Sequence, residues 1–425
     1  MKRWPSSPQV LVVGGGPAGS STAWHLAQQG VEVLLVDRAT FPRDKPCGEY
    51  LSPEGSRILE SMGALQLVEQ AGAAPLSGMT VHTPSGATIR GEFVASHGFR
   101  GFRDCGLALR RTVLDQIVLD RARHAGVNVV EGAKVEQVLL SHSGRCNGVV
   151  IRWHGDLYEI PTQCVIGADG LRSVVARRLN LTNHAHRPRR FAMVAHFANV
   201  RGMGAMGEMF VKRGAYLGLC NVGNGITNIG FVVSQPRGTA LTGSPAVKLD
   251  EWIAAHPELR DRFQKAERIG GVTVTGPFAS HAKRGWVPGA ALVGDAADFF
   301  DPFTGEGMFA ALRGGELLAP YVAEAMTARN SRAASEALAE YDRVRKAEFA
   351  GKWRVEKLIG LSVGYPWLLD QAALVLQQDR ELADLLVGVT GNFVPPRELL
   401  RLRVLRRLFM LRPKPHPLTH HAHRS

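Results

Sequence analysis

The residues best placed to do chemistry open the chain. Gly14-Gly15-Gly16-Pro17-Ala18-Gly19 fits G-x-G-x-x-G, and an acid, Asp37, follows 18 residues after Gly19. This arrangement suits a diphosphate and a ribose. Gly14 permits a tight turn out of a strand, Gly16 lets backbone approach a pyrophosphate, and Gly19 lets helix and strand pack closely. The helix after the turn aims free N–H groups and a positive dipole end at phosphate oxygens. Asp37 is placed to accept hydrogen bonds from ribose hydroxyls. Further carboxylates sit in glycine turns at Asp169-Gly170 and Gly294-Asp295. Read alone, each of these is a turn or capping acid; beside a dinucleotide unit each becomes a polar anchor for the same ligand.

The elements needed to position these groups are legible around them. Residues 10–13 are an apolar run of the length of a buried parallel strand, residues 20–29 read as a helix ended by Gly30, and residues 31–36 read as a second strand ending at Asp37. That is a complete βαβ unit. Residues 41–49 form a loop rich in proline and charge, and Ser52-Pro53 starts a helix reaching about Met62. A hairpin is expected over 79–93, a helix over 111–124, strands over 127–130, 135–140 and 149–153, and a strand with a sharp turn over 164–170. The basic stretch 184–190 reads as a boundary and a site for proteolysis. Residues 191–200, 206–211, 215–220 and 227–233 then read as an antiparallel sheet. Within it Gly202-Met203-Gly204-Ala205-Met206-Gly207 also fits G-x-G-x-x-G, but strand-like residues follow it and no acid ends a second βαβ unit. It is read as a strand connection. Residues 290–293 are another buried strand, 298–304 a loop, and helices are expected over 305–326 and 335–359.

Length and composition bound the rest. A chain of 425 residues builds a large core and two domains, one inserted in the other. The five cysteines are scattered singly, without C-x-x-C or close Cys/His pairing, as expected of free cytoplasmic thiols with neither structural zinc nor an iron–sulfur cluster. The apolar run near the start is too short for a signal peptide. Net charge is +13, and the residues from Arg397 onward carry eight Lys or Arg against one acid, Glu398. In the stretch 397–412 Arg403, Arg406 and Arg407 cluster while Arg401 falls among leucines, an imperfect membrane-surface helix. Nucleic acid is excluded as a partner, because the basic residues are not interleaved with stacking aromatics.

Three separated motifs give a family resemblance. The βαβ unit, Gly167-Ala168-Asp169-Gly170 with Arg172-Ser173, and Leu292-Val293-Gly294-Asp295-Ala296-Ala297 with Asp301-Pro302 and Gly305-Glu306-Gly307 resemble the FAD-dependent aromatic hydroxylases (group A flavin monooxygenases) and their relatives the geranylgeranyl reductases. The resemblance implies an α/β fold: a Rossmann-type FAD-binding domain with an inserted antiparallel-sheet substrate domain and C-terminal helices. The expected limits are 1–185 for the first part of the FAD domain, 186–284 for the substrate domain, 285–395 for the second part and helices, and 396–425 for a basic tail. It also implies that FAD is held by Gly14, Gly16, Pro17, Ala18, Gly19, Asp37, Arg38, Arg111, Asp169, Gly170, Gly294, Asp295, Gly305 and Gly307. Asp295 would bind the ribityl chain, Arg111 would lie near the phosphates, Asp169 would support the pyrophosphate region, and the helix at Gly305 would face the flavin pyrimidine edge.

No general base is named. Cys47, in Lys45-Pro46-Cys47-Gly48-Glu49, is similar to a cysteine near the flavin of the reductase branch, and His196 has the strand parity of Ala192 and Val194. These two are weak catalytic candidates beside their ordinary readings as a small filler and a structural histidine. Tyr216-Leu217-Gly218-Leu219-Cys220 departs from the aromatic motif of the reductases, and the tryptophan pair and proline of flavin-dependent halogenases are missing. The leading expectation is a monooxygenase hydroxylating or epoxidising a lipophilic or aromatic small molecule, with NADPH or NADH docking transiently and O2 as oxidant. The alternative is a reductase saturating C=C bonds of an isoprenoid or polyketide. A third reading is a non-catalytic flavin-binding protein that contacts a membrane surface or a partner through the basic tail.

Overall fold

The computed structural model describes residues 2–3, 7–184, 190–234, 243–278, 280–299 and 301–410. Four consecutive apolar residues, Val10–Val13, are buried on both sides and form the central strand of a six-stranded sheet. A strand covered on both faces has no polar side to display, which explains the unbroken apolar run. Its neighbours are Cys164–Gly167 and Val33–Val36, both parallel to it, and the sheet continues through Ala290–Leu292 on one side and Asn128–Val130 on the other. Trp286–Val287 closes one edge antiparallel.

The first helix, Pro17–Ala27, starts directly at the glycine turn, three residues earlier than its sequence pattern suggests, because Pro17 takes the first helical position, where its missing N–H costs nothing. Gly19 is the contact that lets this helix lie on the strand: a Cβ there would sit 1.8 Å from the Gly14 carbonyl oxygen. Helix Arg111–His124 and the long helices Gly307–Thr327 and Ser331–Gly364 cover the sheet. Ser52 caps helix Pro53–Ser61 by accepting from the Gly55 N–H. Helices Pro366–Leu376 and Arg380–Thr390 were not anticipated; their apolar residues bury a separate small core with Ala87 and Ile89.

The second large sheet has seven strands in the order Glu267–Thr275, Arg190–Ala198, Ile226–Ser234, Ala215–Asn221, Met206–Lys212, Gly78–His82 and Thr88–Glu92. It is antiparallel except where Met206–Lys212 pairs parallel with Gly78–His82. The hairpin from the N-terminal part of the chain therefore completes the sheet built mainly by the middle of the chain. The second G-x-G-x-x-G is a connection: Gly202 takes φ 71° in a turn and Met206 already begins a strand. Of the basic stretch 184–190, residues 185–189 lie outside the described residues.

Candidate active site

The parallel strands all end at one side of the sheet, and each delivers a polar or glycine turn there. Val10–Val13 leads to Gly14, Val33–Val36 to Asp37, Cys164–Gly167 to Asp169, and Ala290–Leu292 to Gly294 and Asp295. In strand order these read Asp295, Asp169, the glycine turn, Asp37. Three strand spacings separate the outer two, roughly 14 Å, so the row suits one extended ligand with a polyol at one end and a ribose at the other. Ligands of open α/β sheets bind outside the carboxyl ends of the strands for this reason.

A cavity of about 1130 Å³ runs from this row to the seven-stranded sheet. Of the residues expected to hold FAD, Gly14, Gly16, Pro17, Ala18, Asp37, Arg38, Arg111, Asp169, Gly170, Gly294, Asp295, Gly305 and Gly307 line it. Gly19 does not; it packs helix against strand just behind. Asp37 is braced, with Oδ2 accepting from the Gly15 N–H at 2.7 Å and Oδ1 from the Ala39 N–H at 2.8 Å. Asp169 Oδ2 accepts from the Val174 N–H at 2.6 Å, whereas its buried Oδ1 has no partner within the protein. Burial raises the Asp169 carboxyl above its ordinary range against the hydrogen bonds of Ser173 and Val174. Burial also raises Asp295, opposed by the positive charges of Lys45, Arg111 and Lys352. An unsatisfied buried acceptor and a desolvated acid are the groups that ligand hydroxyls and amides relieve.

The phosphate end is basic. A Cβ on Gly16 would meet Arg43 Nη2 at 3.3 Å and Arg111 Nη2 at 4.0 Å, so these guanidinium groups stand over the turn where backbone meets ligand. Arg111 holds Asp115 through Nε at 2.5 Å and Nη2 at 2.7 Å, and Arg43 lies 3.1 Å from the same Asp115. Burial works against the Arg111 charge; Asp115 and Cys47 outweigh it and raise its pKa above the ordinary value. Lys45 reaches within 3.4 Å of where a Cβ on Gly170 would lie, and burial lowers its pKa against the pull of Asp295. Arg43 and Lys45 were not among the residues expected from sequence. The signal was present as two cations and two prolines packed into residues 41–49, but a loop's position across a sheet cannot be read from its own residues.

The residues thus fit FAD: glycines and arginines for the diphosphate, Asp37 for the ribose, Asp295 for the ribityl chain. Past them the cavity becomes apolar, lined by Val194, Leu219 and Val232 of the large sheet and by Phe278, Phe299 and Phe303. Tyr216 donates to Asp301 Oδ1 at 2.7 Å, and Arg190 pairs with the other Asp301 oxygen, which ties the sheet to the turn before helix Gly307–Thr327. Cys47 lies in the cavity wall; His196 does not, and its ring is bound to Glu49 at one end of the sheet face. All five cysteines are free thiols.

The chain is 27% identical over 414 residues to menaquinone reductase of Mycolicibacterium smegmatis, covering 91% of each protein. It is 30% identical over 348 residues to digeranylgeranylglycerophospholipid reductase 1 of Methanothermobacter thermautotrophicus, covering 80% of this chain and 82% of that one. A flavoprotein/dehydrogenase of Cytophaga hutchinsonii has the same fold, with a TM-score of 0.80 at 21% identity over 95% of this chain and 98% of that one. Residues 7–352 match the FAD binding domain family. With the glycine turn, the two acid turns and the basic wall in one cavity, the chain belongs to this family and is an FAD-dependent oxidoreductase.

Proposed function

We propose that this enzyme saturates carbon–carbon double bonds in a lipophilic substrate bearing an isoprenoid chain, with NAD(P)H as the source of electrons. The observation that carries this reading is the joining of a cofactor row to an apolar sheet face in one cavity, with Cys47 at their junction. Relatives matched over four fifths or more of the chain are named as reductases of menaquinone and of a digeranylgeranyl lipid, which supports the same order. It reverses the preference drawn from sequence, where oxygenation came first. Bound FAD supplies two-electron chemistry. The chain's own part is to hold the diphosphate with Arg43, Lys45 and Arg111, accept the polyol at Asp295, and exclude water with Val194, Val232, Phe278 and Phe303.

Oxygenation is the second reading, favoured by Tyr216-Leu217-Gly218-Leu219-Cys220, which lacks the aromatic motif of the reductase branch and lies on the cavity wall. Enzyme reduced with NADPH, NADH or dithionite under nitrogen and mixed with a geranylgeranyl-bearing quinone separates the two. A product whose isoprenoid chain has gained two hydrogens without oxygen, read after the quinone head group is reoxidised, is expected. A product gaining one oxygen atom, formed only in air, would overturn the reductase reading.

A lipophilic substrate implies a membrane surface as partner. The junction of helices Ser331–Gly364 and Pro366–Leu376 exposes Tyr365, Trp367 and Leu368, 59%, 62% and 41% accessible. Leu369, on the same turn, packs inward on the cluster of Val194, Met209, Tyr216 and Phe278 that walls the cavity. One helical turn thus faces solvent on one side and the apolar cavity wall on the other. Trp and Tyr favour the membrane–water boundary, and Arg354 and Lys357 are exposed on the preceding helix. In the basic tail Arg407 is paired with Asp379 and Glu381, and Arg401 with Glu398; residues 411–425 lie outside the described residues.

A further inference from the structure

Residues 44–49 form a strap that runs along the cavity between the cofactor row and the large sheet, and its far end is fastened by an unusual group of polar contacts. Glu49 is 2% exposed and takes φ 57°, a left-handed conformation that costs a residue other than glycine about 1 kcal/mol. Its carboxylate gathers three donors from three elements. Oε1 accepts from the backbone N–H of Arg111 at 2.8 Å. Oε2 accepts from His196 Nε2 at 2.7 Å and from Asn228 Nδ2 at 3.1 Å. A carboxylate oxygen only accepts, so Nε2 is the protonated ring nitrogen of His196.

The donors on the sheet form one row. His196 pairs with Asn228, and Asn228 with Cys220, across three adjacent strands. Each of the three holds the strap: Asn228 Nδ2 also donates to the Cys47 carbonyl at 3.0 Å, and Cys220 Sγ donates to the Gly48 carbonyl at 3.2 Å. On the other side Glu49 caps the helix whose first residue, Arg111, stands over the glycine turn. A negative group suits that helix end. Apolar contacts would fasten a surface strap at lower desolvation cost, whereas a buried charge with three fixed donors specifies one geometry.

We infer that Glu49, His196 and Asn228 are a latch that positions the Cys47 strap against the cofactor and joins the substrate sheet to the cofactor row. Glu49 and Asn228 line the cavity beside Cys47, Lys45 and Arg111 while His196 stands behind them, and the role assigned to all three is to position those neighbours. The inference rests on the placement of FAD in this cavity and is independent of whether the enzyme reduces or oxygenates its substrate. It predicts that a broken latch exposes the Cys47 thiol and weakens FAD binding, and that restoring a single donor at position 196 restores both.

The test compares wild type with His196→Leu, His196→Gln and Asn228→Ala, each checked for folding by circular dichroism and thermal unfolding. Iodoacetamide labelling of the FAD-free protein is read on the tryptic peptides 44–57 and 104–110, which separate Cys47 from Cys105, the reference thiol. FAD affinity is read by fluorescence quenching. His196→Leu is expected to label Cys47 about tenfold faster and to bind FAD about tenfold more weakly, the scale of a hydrogen bond to a buried charge, with Cys105 unchanged. His196→Gln, whose amide nitrogen reaches the place of Nε2, is expected to return both within about threefold of wild type. Equal Cys47 labelling in wild type and folded His196→Leu, or a Gln variant no better than Leu, overturns the latch. If His196→Leu does not fold, Asn228→Ala decides on the same two readings: faster Cys47 labelling with weaker FAD binding supports the latch, and no change in either overturns it.

Discussion

Asp295 sits half-buried in the cavity wall where the chain turns out of strand Ala290–Leu292, and desolvation raises its carboxyl above the usual range despite Lys45, Arg111 and Lys352. A folded-state pKa above the unfolded one means that the folded chain prefers the protonated acid. Stability from this group is therefore greatest below the unfolded pKa and declines as pH rises toward the folded one. At neutral pH the acid is a burden on the FAD-free protein that hydroxyls of the cofactor relieve. Asp295→Asn is thus expected to leave the thermal midpoint of the FAD-free protein at pH 7 unchanged or raised. The same change weakens FAD binding ten- to a hundredfold, about 1.5–3 kcal/mol. A lowered midpoint with unaltered FAD affinity would show that Asp295 is a structural acid only. Gly16 makes a sharper case, because a side chain there points at Arg43 and Arg111 across the space a diphosphate needs. Purified Gly16→Val protein is expected to carry no flavin absorbance and to take up none from added FAD.

At the scale of elements, the fold places helix Gly307–Thr327 against both the first helix and helix Pro53–Ser61. Arg57 of the latter binds Glu316 through both terminal nitrogens, at 2.9 and 2.8 Å, and Arg313 adds a third contact at 2.7 Å. Burial pushes the Glu316 carboxyl up, and the hydrogen bonds and charges of Arg57 and Arg313 outweigh it, holding the pKa at about 2. A depressed carboxylate stabilises the fold above its unfolded pKa and loses that contribution as pH falls from about 4.5 toward 2. The groups are half-buried, so solvent screening reduces the net value to about 1 kcal/mol. Glu316→Gln should lower the unfolding free energy from urea titration at pH 7 by about 1 kcal/mol and leave it nearly unchanged at pH 2; an equal loss at both pH values would assign the effect to packing.

At the scale of the whole molecule the two large sheets meet over one cavity, whose wall also takes Phe349, Lys352 and Trp353 of helix Ser331–Gly364. Among the described residues no helix is long and apolar enough to cross a membrane. A surface contact through Tyr365, Trp367 and Leu368 instead predicts flotation with vesicles containing about one third anionic lipid, reduced several-fold in Trp367→Ser/Leu368→Ser and by high salt. Flotation of that double variant at the wild-type level would return the contact to the tail beyond Arg407.

By itself the sequence determined the βαβ unit and the order of most strands and helices, and it pointed to dinucleotide chemistry at Gly14–Gly19 and Asp37, whereas Asp169 and Asp295 drew their expected roles from a family resemblance. These are local matters: a glycine turn, a buried apolar run and a terminal acid carry their meaning within thirty residues. Tertiary structure decided which distant groups share the cavity. Arg43 and Lys45 read as a charged loop until strand order set them beside Gly16 and Gly170. Glu49, His196, Asn228 and Cys220 come together only through the register of three strands, which no single segment encodes. The hairpin Gly78–Glu92 was legible as a hairpin, but its joining Met206–Lys212 as a parallel neighbour was not, since the choice of pairing partner depends on edges formed elsewhere in the chain.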